Sequence, residues 1–317
     1  MKRILLTGST GFVGSALYAA LRPLYSVVAT SRYAQALGES ELTVGVGDLS
    51  ASTQWAGALE NVDCLIHLAG RAHILGDTAK DQLSIFRRVN VDATLNLARQ
   101  ASEAGVRRFI FVSSVGVHGN KTQASAFDEL SPFLPHADYA VSKMEAEIGL
   151  RLIADTSGME LVILRPPLVY SGHAPGNFGL LLKLVSSGLP LPFGGVKNQR
   201  SMIALDNLVD LILLCVKHPS AANQDFLVSD GVDVSTPQII QYLAAGMERK
   251  IMLFSLPESI MYASAFLVRR LQAYHQLSGS LRIDSIKARS LLGWTPLLSP
   301  SQALLQAGRD YMSSQTR

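Results

Sequence analysis

The sequence predicts an α/β protein: a doubly wound parallel sheet with helices on both faces, joined to a smaller, irregular lobe. Three observations predict it. Short, continuously apolar segments alternate with helical patterns through the first half, as in parallel strands buried on both faces. A glycine-rich turn, Thr7-Gly8-Ser9-Thr10-Gly11-Phe12-Val13-Gly14, stands between the first strand and the first helix. After Arg165 the alternation is broken by Pro166-Pro167, Pro175-Gly176, Pro190, Pro192 and Gly194-Gly195, a texture of turns.

The elements follow in order. Ile4-Leu5-Leu6 reads as the first strand, and 15–21 as a helix with Pro23 just beyond it. Ser26-Val27-Val28-Ala29-Thr30 and Leu42-Thr43-Val44-Gly45-Val46 are the second and third strands, and Cys64-Leu65-Ile66-His67-Leu68 the fourth. A long helix is expected over 83–104, stopped at Gly105, then a fifth strand at Phe109-Ile110-Phe111-Val112. Residues 139–156 read as a helix ending near Gly158, and Leu161-Val162-Ile163-Leu164 as the sixth strand. Right-handed crossovers turn this series into a doubly wound sheet. The expected division is a main unit over 1–165 and a lobe over 166–317. Within the lobe, about 205–230 returns to the main sheet through a helix at 205–217 and Phe226-Leu227-Val228. The apolar stretch 256–277, with Arg269 and Arg270, reads as a helix packed on the lobe, with a membrane-surface helix as the alternative.

Composition narrows the class. In 317 residues, 48% are hydrophobic and 17% charged, so wholesale disorder is excluded. The net charge of +3 and the lack of a long basic block argue against nucleic acid as a partner. The cysteines, Cys64 and Cys215, sit in apolar runs and read as buried free thiols of a reducing compartment. The apolar run at the N-terminus is too short for a secretion signal and ends at Gly8. No stretch reaches the roughly 20 apolar residues a membrane span needs. The expectation is a cytoplasmic protein without a metal site.

The glycine-rich turn carries the first chemistry. Glycines there allow a tight turn and close approach of backbone to phosphate, and the following helix offers free N–H groups and a positive dipole end. Tyr139 and Lys143 stand four residues apart at the start of a helix, so their side chains share a face. A cation there favours the phenolate of a tyrosine that otherwise ionises near pH ~10. Ser113 and Ser114 close the fifth strand, where ligands of open α/β sheets bind.

The G-x-x-G-x-x-G spacing of Gly8, Gly11 and Gly14 resembles the extended short-chain dehydrogenase/reductases, the family that includes UDP-galactose 4-epimerase and sugar-nucleotide dehydratases and reductases. Val46-Gly47-Asp48-Leu49, Ile66-His67-Leu68-Ala69-Gly70 and Val89-Asn90-Val91 match it in order. The resemblance implies a Rossmann dinucleotide domain holding NADP or NAD through Gly8, Thr10, Gly11, Phe12, Val13, Gly14, Ser31, Arg32, Asp48, Leu49, Leu68, Ala69, Gly70, Asn90, Tyr139, Lys143 and Pro166. Asp48 is expected at the adenine. NAD enzymes place a carboxylate at the end of the second strand, whereas an Arg accommodates a 2′-phosphate. Here Thr30-Ser31-Arg32 stands with no carboxylate before Glu39, so NADP is favoured.

In the family's S-S-x-x-V-Y-G pattern, Ser113-Ser114-Val115-Gly116-Val117-His118-Gly119 assigns the catalytic serine to Ser114, with Ser113 as runner-up and His118 structural. Tyr139 is then the proton carrier, and Lys143 its tuner. The same resemblance implies substrate contacts at Ser113, Ser114, Asn177, Leu191, Phe193, Arg200 and Arg282, with Arg200 clasping a diphosphate and Asp284 beside Arg282. Bacterial surface-polysaccharide enzymes acting on UDP-N-acetyl sugars are the nearest in look. The expected substrate is therefore a UDP-sugar. The expected reaction is 4-keto reduction of a UDP-6-deoxy-N-acetylhexosamine, with a 4-epimerase holding NAD tightly as the alternative. A dehydratase is disfavoured because Val115-Gly116 stands where an Asp-Glu pair is usual. A non-catalytic NAD(P)-sensing regulator is disfavoured by the Tyr139–Lys143 pair, and a steroid or flavonoid reductase is a further alternative. A homodimer is expected through the two long helices, with Ala93, Leu97 and Ala101 against Ala146, Leu150 and Ile153.

Overall fold

The computed structural model describes residues 2–34, 43–71, 81–267 and 271–315. The first strand, β1 (Arg3–Thr7), is followed by α1 (Phe12–Leu21), β2 (Ser26–Ser31), β3 (Val44–Gly45), the short α2 (Ala56–Leu59) and β4 (Cys64–His67). Next come α3 (Gln82–Phe86), a π-helical turn (Arg87–Asp92), α4 (Ala93–Glu103), β5 (Arg108–Val112), α5 (Asp138–Ser157) and β6 (Glu160–Arg165). The lobe begins with β7 (Leu168–Tyr170), α6 (Gly176–Ser186) and β8 (Met202–Ala204); α7 (Leu205–Lys217) and β9 (Gln224–Leu227) then return to the main sheet. The chain ends with α8 (Thr236–Gly246), α9 (Glu258–Leu267), α10 (Leu271–Ser278), α11 (Ile286–Leu292) and α12 (Pro300–Gln315).

Seven strands form one parallel sheet in the order β3-β2-β1-β4-β5-β6-β9, and β7 pairs with β8 in a small second sheet. The chain winds outward from β1 to β3, then restarts at β4 on the other side of β1, which leaves a crevice at the carboxyl ends of β1 and β4. Alternate residues face opposite sides of the sheet. Ile4, Leu6, Ile66, Ile110 and Val162 pack under α1 and α7, whereas Leu5, Leu65, Phe109, Phe111 and Ile163 pack under α4 and α5. Each such fully buried side chain contributes roughly 1.5–3 kcal/mol. Cys64 and Cys215 are buried free thiols, as expected.

The differences from expectation have physical causes. The first helix starts at Phe12, not Ser15, because Gly11 already adopts the extended N-cap conformation. Of the third strand, only Val44 and Gly45 pair with Thr30 and Ser31, and Leu42 lies outside the described residues. The long helix over 83–104 contains the π turn, which places one extra residue in its middle. The lobe is more helical than its turn residues suggest. Ser235 and Gln238 form a capping box for α8, a signal visible in the sequence as S-x-x-Q.

In the 256–277 stretch, Met261 and Tyr274 are buried, with the Tyr262 and Tyr274 rings 6.0 Å apart, while Ile260 and Phe266 face outward; Arg269 and Arg270 lie outside the described residues. The residues expected at a dimer interface are corrected. Ala93, Leu97, Ala101, Ala146 and Leu150 are at most 1% exposed within this one chain. That face of α4 and α5 covers the sheet, and periodicity alone does not say what a buried face covers. Among the described residues no helix is long and apolar enough to cross a membrane, and no group of three or more His, Cys, Asp or Glu side chains could hold a metal ion.

Candidate active site

The glycine-rich turn is shaped by contacts that exclude side chains. Gly8 has φ +72°, and a Cβ there would lie 2.7 Å from Ala69 N. A Cβ on Gly14 would lie 1.9 Å from Gly8 O. The Gly11 N–H donates to Gly8 O at 3.0 Å, and α1 begins with no side-chain cap, so its first-turn N–H groups have no partner from the helix itself. Phe12 and Val13 send their side chains into the lobe core and the main core.

A groove of about 900 Å³ opens beside this turn. Its walls include Gly8, Thr10, Gly11, Ser31, Arg32, Asp48, Leu49, Leu68, Ala69 and Gly70, all expected from the sequence. They also include Arg71, Ile85 and Arg88, which no sequence signal singled out. Arg32 Nε lies 2.7 Å from Asp48 Oδ1, both well exposed. Glu39 lies outside the described residues. The cradle that a Cβ would fill, the unpaired helix N-terminus and the guanidinium-lined wall fit a pyrophosphate-bearing dinucleotide.

His67 orders the floor. Its Nδ1 is 2.7 Å from Thr7 Oγ1 and its Nε2 2.8 Å from Thr94 Oγ1, while Ala69 N–H donates to Thr7 Oγ1 at 3.2 Å. Burial, and then the nearby Lys143 charge, push His67 down to about 3, so the ring is neutral.

Asn90, expected at the cofactor, ties the groove wall to α5. It is buried in the π turn. Its Oδ1 accepts from Arg71 N at 2.8 Å, and its Nδ2 donates to Arg71 O and to Ser142 Oγ, each at 3.0 Å. Ser142 Oγ in turn donates to Tyr139 O at 2.8 Å. The amide thus pins the Gly70–Arg71 turn to the first turns of α5.

The expected catalytic side chains gather at the carboxyl end of β5. Ser114 Oγ accepts from Gly116 N at 3.1 Å, a bond that leaves the hydroxyl proton unused. A Cβ on Gly116 would stand 3.5 Å from that of Ala140, so the Ser114 turn rests on α5 beside Tyr139. Ser113 is buried, and its Oγ has no hydrogen-bond partner. Pro166 is buried, and its carbonyl accepts from Val115 N at 3.0 Å, fixing the same turn.

Lys143 Nζ donates to Val112 O at 3.0 Å and lies 4.5 Å from the Phe111 ring centroid. A Cβ on Gly70 would be 3.8 Å from that Nζ, which puts the ammonium next to the groove wall. Burial brings Lys143 down to about 8, against the opposing pull of Glu147. Half-buried Tyr139 packs edge-on to Phe86 at 6.0 Å, and burial pushes it up to about 12. Burial is the cause of the Tyr139 shift, and the hydrogen bond of the Lys143 ammonium goes to Val112 O. His118 is structural, with Nδ1 3.2 Å from Pro132 O and Nε2 3.2 Å from Arg165 Nη1.

The lobe residues divide. Arg200 pairs through its backbone with Val234 and bridges Leu281, and Arg282 Nε lies 3.1 Å from Asp233 Oδ2. The fold thus brings Arg200 beside the segment that carries Arg282. Arg200 Nη1 donates to Gly279 O at 3.0 Å. Asn177 is exposed on α6 and bonds Gln276. Leu191, expected at the substrate, has its side chain buried in the lobe core, because the backbone pairing of Leu191 with Met252 and Phe254 turns it inward. Phe193 is half-buried against the same core. Asp284 caps the start of α11 through Ile286 N.

Residues 4–229 match the NAD dependent epimerase/dehydratase family. A Vibrio cholerae protein described as UDP-glucose 4-epimerase is 40% identical over 321 residues, covering 100% of this chain and 97% of its own. Among solved structures, a UDP-glucuronic acid 4-epimerase from Bacillus cereus in complex with NAD superposes with a TM-score of 0.79 at 21% identity, over 99% of this chain and 100% of the other. RMD from Pseudomonas aeruginosa complexed with NADPH superposes with a TM-score of 0.76 at 20% identity, over 99% and 100%.

Proposed function

We propose, from the premise that this chain belongs to the NAD-dependent epimerase/dehydratase family, that it reduces the 4-keto group of a UDP-6-deoxy-N-acetylhexosamine, with NADPH as the favoured cofactor. The observation that carries this reading is Arg32 in the groove wall at the end of β2, where Ser31 and Arg32 stand in place of a carboxylate. A guanidinium there suits a 2′-phosphate. Gly8, Thr10 and Gly11 would hold the pyrophosphate against the start of α1, with Asp48 and Leu49 at the adenine end.

When bound, the nicotinamide supplies the hydride. The residues of the chain handle the oxygen. Ser114 donates a hydrogen bond to the substrate carbonyl. Tyr139, held protonated by its burial, gives its proton to that oxygen as it becomes a hydroxyl. The Lys143 ammonium stabilises the tyrosinate left behind. Arg200 and Arg282 grip the diphosphate of the sugar nucleotide.

A second reading, 4-epimerisation, is favoured by the full-length similarity to the Vibrio cholerae protein. There Tyr139 first removes the proton from the 4-hydroxyl and later returns it, and NAD stays bound. One assay separates the two. The protein is purified and its bound nucleotide identified by mass spectrometry. It is then offered NADPH with a UDP-4-keto-6-deoxy-N-acetylhexosamine, and separately UDP-galactose alone. Stoichiometric NADPH oxidation supports the reductase. Co-purified NAD with UDP-galactose to UDP-glucose conversion replaces it with the epimerase.

A further inference from the structure

Behind Lys143 lies a buried charge network that the chemistry above does not use. Glu147, one turn along α5 from Lys143, is 0% exposed, and Arg165, the last residue of β6, is 1% exposed. Arg165 Nε donates to both Glu147 carboxylate oxygens at 3.1 and 3.2 Å, and Nη2 donates to Glu147 Oε2 at 2.6 Å. The same Nη2 reaches Asp225 Oδ2 on β9 at 3.0 Å, and Asp225 also pairs with Arg151. Arg165 Nη1 meets His118 Nε2 at 3.2 Å. Because His118 Nδ1 faces the Pro132 carbonyl, Nδ1 carries the ring proton and Nε2 accepts. One guanidinium thereby joins α5, β9 and the turn that begins at Ser114.

A buried ion pair is a weak source of net stability, and apolar side chains of equal volume often hold a fold as well. What they do not supply is a fixed negative charge beside Lys143. The groups facing Lys143 are Glu147 from its own helix, neutral His67 from β4, the Phe111 ring and Val112 carbonyl from β5, the Asn90 amide beside Gly70, and Arg165 of β6 behind Glu147. Among the charged groups, Glu147 is the anion and Arg165 the second cation.

We propose that Glu147 is a positioning residue of the active site: clamped by Arg165, it fixes the Lys143 turn of α5 against the Ser114 turn and supplies the negative charge that keeps the ammonium charged there. This rests on the proposed part of Lys143 in turnover, and the test separates the two.

The alkaline limb of the kcat/KM profile, measured by NADPH oxidation with the 4-keto sugar or by UDP-galactose conversion, is compared for wild type, Glu147→Gln, Arg165→Met and the double variant. In parallel, the pH at which Lys143 becomes reactive toward acetic anhydride is read by mass spectrometry on cofactor-free protein. Glu147→Gln moves both midpoints down by about one to two pH units. Arg165→Met moves them up, and the double variant returns to within about half a unit of wild type. Should Glu147→Gln fail to fold, Arg165→Met and the double variant decide. Unmoved midpoints with only a lower rate overturn the proposal. Wild-type turnover in Tyr139→Phe instead overturns the enzymatic reading, whatever Glu147 does.

Discussion

Arg32 and Asp48 meet across the mouth of the groove, guanidinium nitrogen to carboxylate oxygen at 2.7 Å. The pair joins the loop after β2 to the loop after β3, and both side chains are largely in solvent, where such a pair adds little stability. In the proposed cofactor site, Arg32 is the group that would meet a ribose 2′-phosphate. Arg32→Ala should raise the KM for NADPH at least about tenfold, leave that for NADH nearly unchanged, and leave the urea midpoint where it was. Equal effects on both cofactors, by steady-state kinetics, would remove the assignment of Arg32.

The ionisations of Tyr139 and Lys143 set the pH profile. Tyr139, at about 12, stays protonated through the working range, whereas Lys143, at about 8, loses its charge within it. If turnover needs a charged Lys143, kcat/KM for ketone reduction is level below pH about 8 and falls above it. Lys143→Arg, which does not deprotonate in that range, should lower the rate yet abolish this limb. Tyr139→Phe should cost about 10²-fold or more in kcat with NADPH binding by fluorescence retained. A limb that persists in Lys143→Arg assigns it elsewhere.

Gly14 tests the cradle. A methyl group there would sit 1.9 Å from Gly8 O, so Gly14→Ala must push the turn and α1 apart. The expected loss is about 1–3 kcal/mol of stability, together with loss of dinucleotide binding, measured by thermal unfolding and by NADPH titration. In Gly57→Ala the new methyl meets nothing within 4 Å, and this control, inside α2, should leave dinucleotide binding unchanged and stability equal or slightly raised.

His67 makes the fold acid-sensitive. Its folded pKa of about 3 lies below the ordinary 6.5, so the stability it contributes as a neutral ring is complete above pH 6.5. That contribution is lost as pH falls towards 3. At pH 5 the loss is roughly 2 kcal/mol. His67→Gln should be less stable at pH 7.5 but show a shallower decline between pH 6.5 and 5 in urea unfolding. An equal decline in both proteins would assign the acid sensitivity to other groups.

Much of the main sheet is legible in the chain because its strands are short, apolar and buried on both faces, and because glycine is the residue that tolerates the conformation of Gly8 and the contact at Gly14. The groove residues were legible for the same reason: they follow strands at fixed offsets. Arg88 was not, since an arginine on a helix looks the same whether it faces solvent or a groove. Nor was the destination of Asn90, whose side chain is turned inward by a π turn that leaves no mark in the residue pattern.

The sequence by itself determined the alternation of strands and helices, the glycine turn and the order of Ser114, Tyr139 and Lys143, since these depend on local periodicity and spacing. The tertiary structure alone decided that burial raises Tyr139, that the Lys143 ammonium bonds Val112, that Leu191 points into the lobe core, and that Glu147 and Arg165 close on each other behind Lys143. Desolvation and pairing depend on which distant segments arrive beside a side chain, and that is fixed only when the sheet and its helices have packed.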